Sequence, residues 1–194
     1  AIIAASVFIP AARAENARMT VVYALDSANL TFRDADAANI DQFFDESEID
    51  LLYINFCDPW PRKKNAKRRL TYHTFLEKYK KVLKIGGQIH FKTDNAKLFE
   101  WSLPEMESCH LELRNVTRDL HANGPVGIMT GYEEKFYGLG TPINRVEAVV
   151  VTKQPRPDDP KDETAEDDVD DGKEQECSFR YLQDADKMLD DLEK

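Results

Sequence analysis

Two apolar runs, each leading to an aspartate and separated by one amphipathic helix, restrict this chain more than any other feature. Leu51-Leu52-Tyr53-Ile54 is flanked by polar residues and leads to Asp58; Gln88-Ile89-His90-Phe91-Lys92-Thr93 alternates in polarity and leads to Asp94. Both read as strands, the first of them buried. Between them Phe75, Leu76, Tyr79, Val82 and Leu83 recur at helical intervals, Thr74 and Glu77 have capping-box spacing, and Gly86-Gly87 offers a stop that only glycine adopts cheaply. Successive strand-helix units of this kind imply a parallel sheet with both carboxylates on one edge, which is where open α/β sheets bind ligands.

The segment after the first strand has the content of a site. Asp58-Pro59-Trp60-Pro61 cannot continue as an internal strand, because neither proline has an N–H and Pro59 biases Asp58 towards an extended backbone. A stiff loop presenting Asp58 and Trp60 is expected. It opens at once into Arg62-Lys63-Lys64-Asn65-Ala66-Lys67-Arg68-Arg69, six cations in a chain whose formal net charge is -10. Alone, such a run reads equally as a solvated face. Beside an acidic, aromatic loop it reads as a landing site for a polyanion, with phosphates positioned by the cations and a base read or stacked by Asp58 and Trp60.

The remaining chain, 194 residues in all, is long enough for one domain with a core plus a tail. Residues 1–14 have the apolar core and small-residue end of a signal peptide but lack a cationic leader, so the preferred reading is a fragment that begins past its true start. Residues 13–25 are expected to be helical and Leu30-Thr31-Phe32 a short strand. Asp34 and Asp36 then accept bonds from a ribose or an adenine, or cap the helix towards Phe44, with capping preferred. Residues 95–103 read as a helix that Pro104 kinks or ends. Leu111, Leu113 and Val116 mark a strand, 119–131 a loop, and 145–152 a last strand. His90 and His121 each stand alone and read as structural. The odd, scattered cysteines Cys57, Cys109 and Cys177 suit a reducing compartment, have no zinc-like spacing, and in Cys57 place a small buried thiol with no assigned chemistry. No apolar run is long enough to span a membrane. Residues 154–177 read as a disordered acidic linker and 178–194 as a short amphipathic helix.

The run Asn55 to Leu70, Ile89-His90-Phe91-Lys92-Thr93-Asp94-Asn95, and Tyr132-Glu133-Glu134-Lys135-Phe136 followed by Leu139-Gly140-Thr141-Pro142-Ile143 together resemble the bacterial tRNA (guanine-N7-)-methyltransferase family. The resemblance covers about Leu30 to Val151, with the three blocks in the family's order. It implies an α/β class I methyltransferase fold, Rossmann-like with a mostly parallel sheet. It also implies S-adenosylmethionine as donor, and guanine 46 of the tRNA variable loop as acceptor, in the cytoplasm, without a metal. By matching position, Asp58 takes the active-site place and also borders the cofactor, and Asp34 lies on the adenosine side. Arg62, Asp94, Thr130, Gly131, Tyr132 and Glu133 match substrate contacts, and Lys64, Asn65, Ala66, Lys67, Arg68 and Arg69 match the RNA-interacting segment. Two positions depart from the pattern: Arg62 stands where Lys is usual, and Gly131 where an acid is common. The family's Gly-rich cofactor turn and the acid that follows its second strand have no counterpart in residues 1–29, which contain no glycine, so the fold is expected to be N-terminally incomplete. The alternatives are a catalytically inactive RNA-binding module and a methyltransferase for protein or a small molecule.

Overall fold

Strand β4 (Ile49–Asn55) lies inside the main sheet, and its neighbours explain the rest of the architecture. In the computed structural model the described residues are 4–7, 18–24, 30–127 and 129–157. The chain first makes strands β1 (Ala4–Val7), β2 (Arg18–Ala24) and β3 (Leu30–Asp36) and a 3₁₀ segment at Ala37–Gln42. After β4 come a second 3₁₀ segment at Lys63–Arg68, helix α1 (His73–Val82), strand β5 (Leu83–Thr93) and helix α2 (Ala96–Ser108). Strand β6 (Leu111–Thr117), helix α3 (Gly131–Gly138) and strand β7 (Asn144–Val150) follow. Five strands form one sheet in the order β1-β4-β5-β7-β6, and β2 and β3 form a separate antiparallel pair. β1, β4 and β5 run parallel, whereas β7 is antiparallel to both of its neighbours. The expected βαβ unit is therefore present, and the sheet as a whole is mixed.

The core follows from alternation. Ile89, Phe91 and Thr93 of β5 are buried while Gln88, His90 and Lys92 are half-exposed. Phe91 meets Phe99 of α2 at 6.2 Å between ring centroids, and Leu76, Tyr79 and Val82 of α1 join the same cluster. The capping of α1 differs from expectation. The helix begins at His73, one residue before Thr74, and its N-cap residue Tyr72 makes no side-chain capping bond. Glu105 of α2 does the work instead, accepting the His73 N–H at 3.0 Å and lying 2.7 Å from His73 Nδ1. A distant carboxylate has replaced the local box, because it satisfies the same unpaired N–H end while tying two helices together.

Gly86-Gly87 also acts elsewhere. α1 has already ended at Val82, and the glycines lie within β5, where pairing with β4 jumps from Ile49↔Leu83 to Leu51↔Gln88. Gly86 has φ +80°, and a Cβ on Gly87 would lie 2.9 Å from the Lys84 carbonyl oxygen. The pair forms a bulge, not a helix stop. Residues 18–24, expected within a helix, are strand β2; Thr20, Val21, Val22 and Tyr23 are β-branched or aromatic and favour the extended ladder with β3. Pro104 lies inside α2, which continues to Ser108. Asp36 caps the 3₁₀ segment, accepting the Ala38 N–H at 2.8 Å.

Past β7 the chain crosses the back of α1. Buried Lys80 donates to the Gln154 carbonyl at 2.6 Å, Arg156 N–H donates to Glu77 at 3.1 Å, and Lys153 reaches the carbonyls of Lys80 and Leu83. The first residues of the expected linker are thus docked. Its remainder and the expected helix at 178–194 lie outside the described residues, as do the expectations for residues 8–17. Among the described residues no helix is long and apolar enough to cross a membrane.

Candidate active site and RNA-binding edge

β4 and β5 end side by side. Asn55 pairs with Lys92, and the Phe56 N–H donates to the Lys92 carbonyl at 2.9 Å, the last rung before the strands separate. Asp58 and Asp94 follow within a few residues on the same edge. Buried Cys57 lies between them electrostatically: its thiol is pushed up to about 12, first by burial and then by the negative charge of Asp58, with Asp94 adding to it. Burial also raises the Asp58 and Asp94 carboxyls above the ordinary aspartate value. The Asp58 side chain reaches solvent, yet the protein around it displaces enough water to disfavour its ionised form.

Each carboxylate stands on a stiffened turn. Asn95 caps α2 by accepting the Leu98 N–H at 2.9 Å, Thr93 Oγ1 accepts the Asn95 N–H at 3.1 Å, and Asn144 of β7 donates to the Thr93 carbonyl at 3.1 Å. These bonds flank Asp94. On the other side Phe56 and Trp60 have φ values of +52° and +42°, a region that costs a non-glycine residue about 1–3 kcal/mol and recurs at functional sites. Arg69 holds that loop. Its Nε lies 3.0 Å from the Pro59 carbonyl and 3.3 Å from that of Trp60, its second nitrogen lies 2.9 Å from the Trp60 carbonyl, and its guanidinium stacks 4.2 Å above Trp101.

The other cations face outwards. Arg62, Lys63, Lys64, Lys67 and Arg68 are exposed, Asn65 and Ala66 are half-buried, and Arg68 stacks 5.0 Å over Trp60. Arg69 departs from the expectation of an RNA contact, since it is only 8% exposed and directed into the loop.

A third segment closes on the same edge. Thr130 and Glu133 form a capping box at the start of α3, with Gly131 exposed behind the cap. Tyr132 packs against Phe56 at 4.8 Å and stacks on Phe136 at 4.5 Å. Glu133, expected as a substrate contact, is fully buried and has its own partners. Lys92 Nζ donates to its two oxygens at 2.9 and 3.0 Å, and His121 Nε2 lies 2.9 Å from Oε1. The Val126 N–H donates to His121 Nδ1 at 3.2 Å, which leaves Nε2 as the donor of the neutral ring. This Lys92–Glu133–His121 cluster was not legible in the sequence, where His121 stood alone, because its members come from three separate elements. Asp34 lies in β3, paired with Thr20, and its side chain is outside the described residues. Among the described residues no group of His, Cys, Asp and Glu is placed to hold a metal ion.

A sheet of this order, with α1 between the parallel strands β4 and β5, an antiparallel β7 next to β5 and carboxylates beyond β4 and β5, is of the class I methyltransferase type. Residues 10–146 match the model of the Methyltransf_4 family, described as "Putative methyltransferase". The chain belongs to that family. It is similar to the tRNA (guanine-N(7)-)-methyltransferases of Streptococcus suis, 48% identical over 68% of this chain and 66% of the relative, and of Streptococcus agalactiae, 48% identical over 65% and 63%. The Streptococcus pyogenes relative of the same name is 46% identical over 66% of this chain and 61% of its own length. The chain thus spans under two thirds of the length of these relatives. A geranyl diphosphate C-methyltransferase structure from Streptomyces coelicolor aligns with TM-score 0.37 at 17% identity over 61% of this chain and 53% of that one, a likeness too distant to bear on the site.

Proposed function

We propose that this chain carries the substrate-facing part of an S-adenosylmethionine-dependent tRNA (guanine-N7-)-methyltransferase, acting on guanine 46 of the variable loop in the cytoplasm. The observation that carries the reading is the convergence of Asp58 and Asp94, both raised by burial, beside an exposed cationic segment. The names of the streptococcal relatives support the choice of acceptor.

The residues fit the reacting end of that cofactor, because poorly hydrated carboxylates favour a cationic neighbour. When bound, S-adenosylmethionine supplies a methyl group on a positively charged sulfur. Guanine N7 has a free lone pair, so no base has to remove a proton from the nucleophile; the chain must align the acceptor, exclude water and stabilise the charge the purine gains. Asp58 takes the central place, accepting guanine N–H groups and countering that charge, and Asp94 shares both roles. Arg62, Thr130, Gly131 and Tyr132 line the acceptor side, and the Tyr132–Phe56 contact closes it to water. Glu133 acts there through Thr130, whose cap it completes. Lys64, Lys67 and Arg68 contact phosphates, with Asn65 and Ala66 shaping the segment between them.

The test, made on the intact protein that contains this segment, is transfer of labelled methyl from S-adenosylmethionine to unmodified tRNA, with borohydride–aniline cleavage to map N7-methylguanine. Label in tRNA and cleavage at guanine 46 are expected. Asp58→Asn is expected to lower the rate about 10²–10³-fold, the range for losing one preorganised electrostatic contact, while leaving tRNA affinity within about twofold. Binding of tRNA without transfer assigns an RNA-binding module instead, and transfer only to protein or small molecules removes tRNA as the substrate.

A further inference from the structure

We propose that Arg69 is a positioning residue that sets the Asp58 loop, and not a contact to RNA phosphate; the proposal rests on the methyl-transfer reading above. Its neighbours Lys64, Lys67 and Arg68 are exposed, whereas Arg69 is buried with its guanidinium committed on both edge and face. The edge donates to the carbonyls of Pro59 and Trp60, the two residues directly after Asp58. The face lies on Trp101, which is itself parallel to Tyr72 at 6.3 Å, and the charge of Glu105 is within range of the guanidinium.

The loop needs such a donor. Pro59 and Pro61 have no N–H to offer a neighbouring carbonyl, and Trp60 occupies the left-handed region, so the loop is no relaxed turn. Turning Arg69 outwards to a phosphate would strip both carbonyls of their bonds and uncover Trp101. Only a planar fork can meet two carbonyls while stacking on an indole; the ammonium of lysine keeps the charge but loses that geometry. Arg69 therefore acts on Asp58 through the backbone. The cationic run has two roles, in which the exposed members meet the polyanion and the last member fixes the loop.

Arg69→Lys separates the two roles because it preserves charge. Two readouts are measured on the full chain: acrylamide quenching of Trp60 in a Trp101→Phe background, in which the phenyl ring keeps a face for the Arg69 guanidinium and the Pro59 and Trp60 carbonyls remain its edge partners, and the slope of log K against log salt for tRNA binding. Lys67→Ala, loss of an exposed cation, is expected to reduce the slope by about one unit and leave Trp60 quenching unchanged. Arg69→Lys is expected to keep the slope of the parent chain and raise the Trp60 quenching constant about twofold, as the loop loosens. Trp60 quenching equal to the parent's, or a slope reduced as in Lys67→Ala, overturns the proposal. If the parent chain binds no tRNA, the substrate reading fails, and Trp60 quenching alone still decides the role of Arg69. Should Arg69→Lys lose its far-ultraviolet circular dichroism, Arg69→Gln, which keeps a donor for one carbonyl, is put through the same measurements.

Discussion

Glu133 has Lys92 on one side, His121 on the other and the Thr130 N–H behind it, with no surface left for water. Removing one member of such a cluster leaves the others buried without their partner, which is worse than never having had the cluster. Glu133→Ala is expected to lower the unfolding free energy by about 3–5 kcal/mol in urea titration. Asp58 is the opposite case. Its carboxyl is raised by burial, so the folded state binds a proton more readily than the unfolded one, and its ionisation opposes folding at every pH above the folded value. Asp58→Asn removes that penalty. The variant is expected to melt no lower than the parent at pH 7, with any advantage shrinking as pH falls through the raised Asp58 value and gone below the ordinary aspartate value, as followed by thermal melts across pH. Asp58 thus weakens the fold that carries it, as expected of a group held for chemistry.

At the scale of elements, the contact between β4 and β5 depends on the bulge at Gly86-Gly87. It absorbs the shift between Ile49↔Leu83 and Leu51↔Gln88, so that Asn55 and Lys92 come level and their aspartates share an edge. Gly87→Ala would place a methyl 2.9 Å from the Lys84 oxygen and 3.2 Å from the Asp50 oxygen, both backbone atoms. The expected result is a loss of about 1–3 kcal/mol, seen as a lower urea midpoint with an unchanged slope. The strands themselves were legible from alternation and the helix α1 from its apolar interval. Its cap and its end were not, because Glu105 lies 32 residues from His73 and the bulge exists only against β4.

Over the whole molecule, charge is divided sharply. Residues 158–194 hold 16 of the 36 acidic side chains and 5 of the 26 basic ones, so the net charge of -10 belongs to that segment and the rest is close to neutral. An acidic segment on the same chain as a cationic landing site competes with RNA for it. Ending the chain after Pro157, which keeps the Gln154 and Arg156 contacts to α1, is expected to strengthen tRNA binding at low salt, with the gain vanishing towards high salt in a filter-binding series. Unchanged affinity at low salt would exclude that competition.

What this chain's residues determined alone is whatever depends on neighbours in sequence. The apolar intervals of β4, α1 and β5, the stiff acidic loop at Asp58 and the cationic run after it all express local geometry and composition. What tertiary structure alone decided is which side chains spend their polar groups inwards. Arg68 and Arg69 are chemically identical neighbours, yet one is exposed and stacks over Trp60 and the other is sealed between Trp101 and two carbonyls. Burial of a charge is set by partners that arrive from distant segments, and no interval along the chain encodes that encounter.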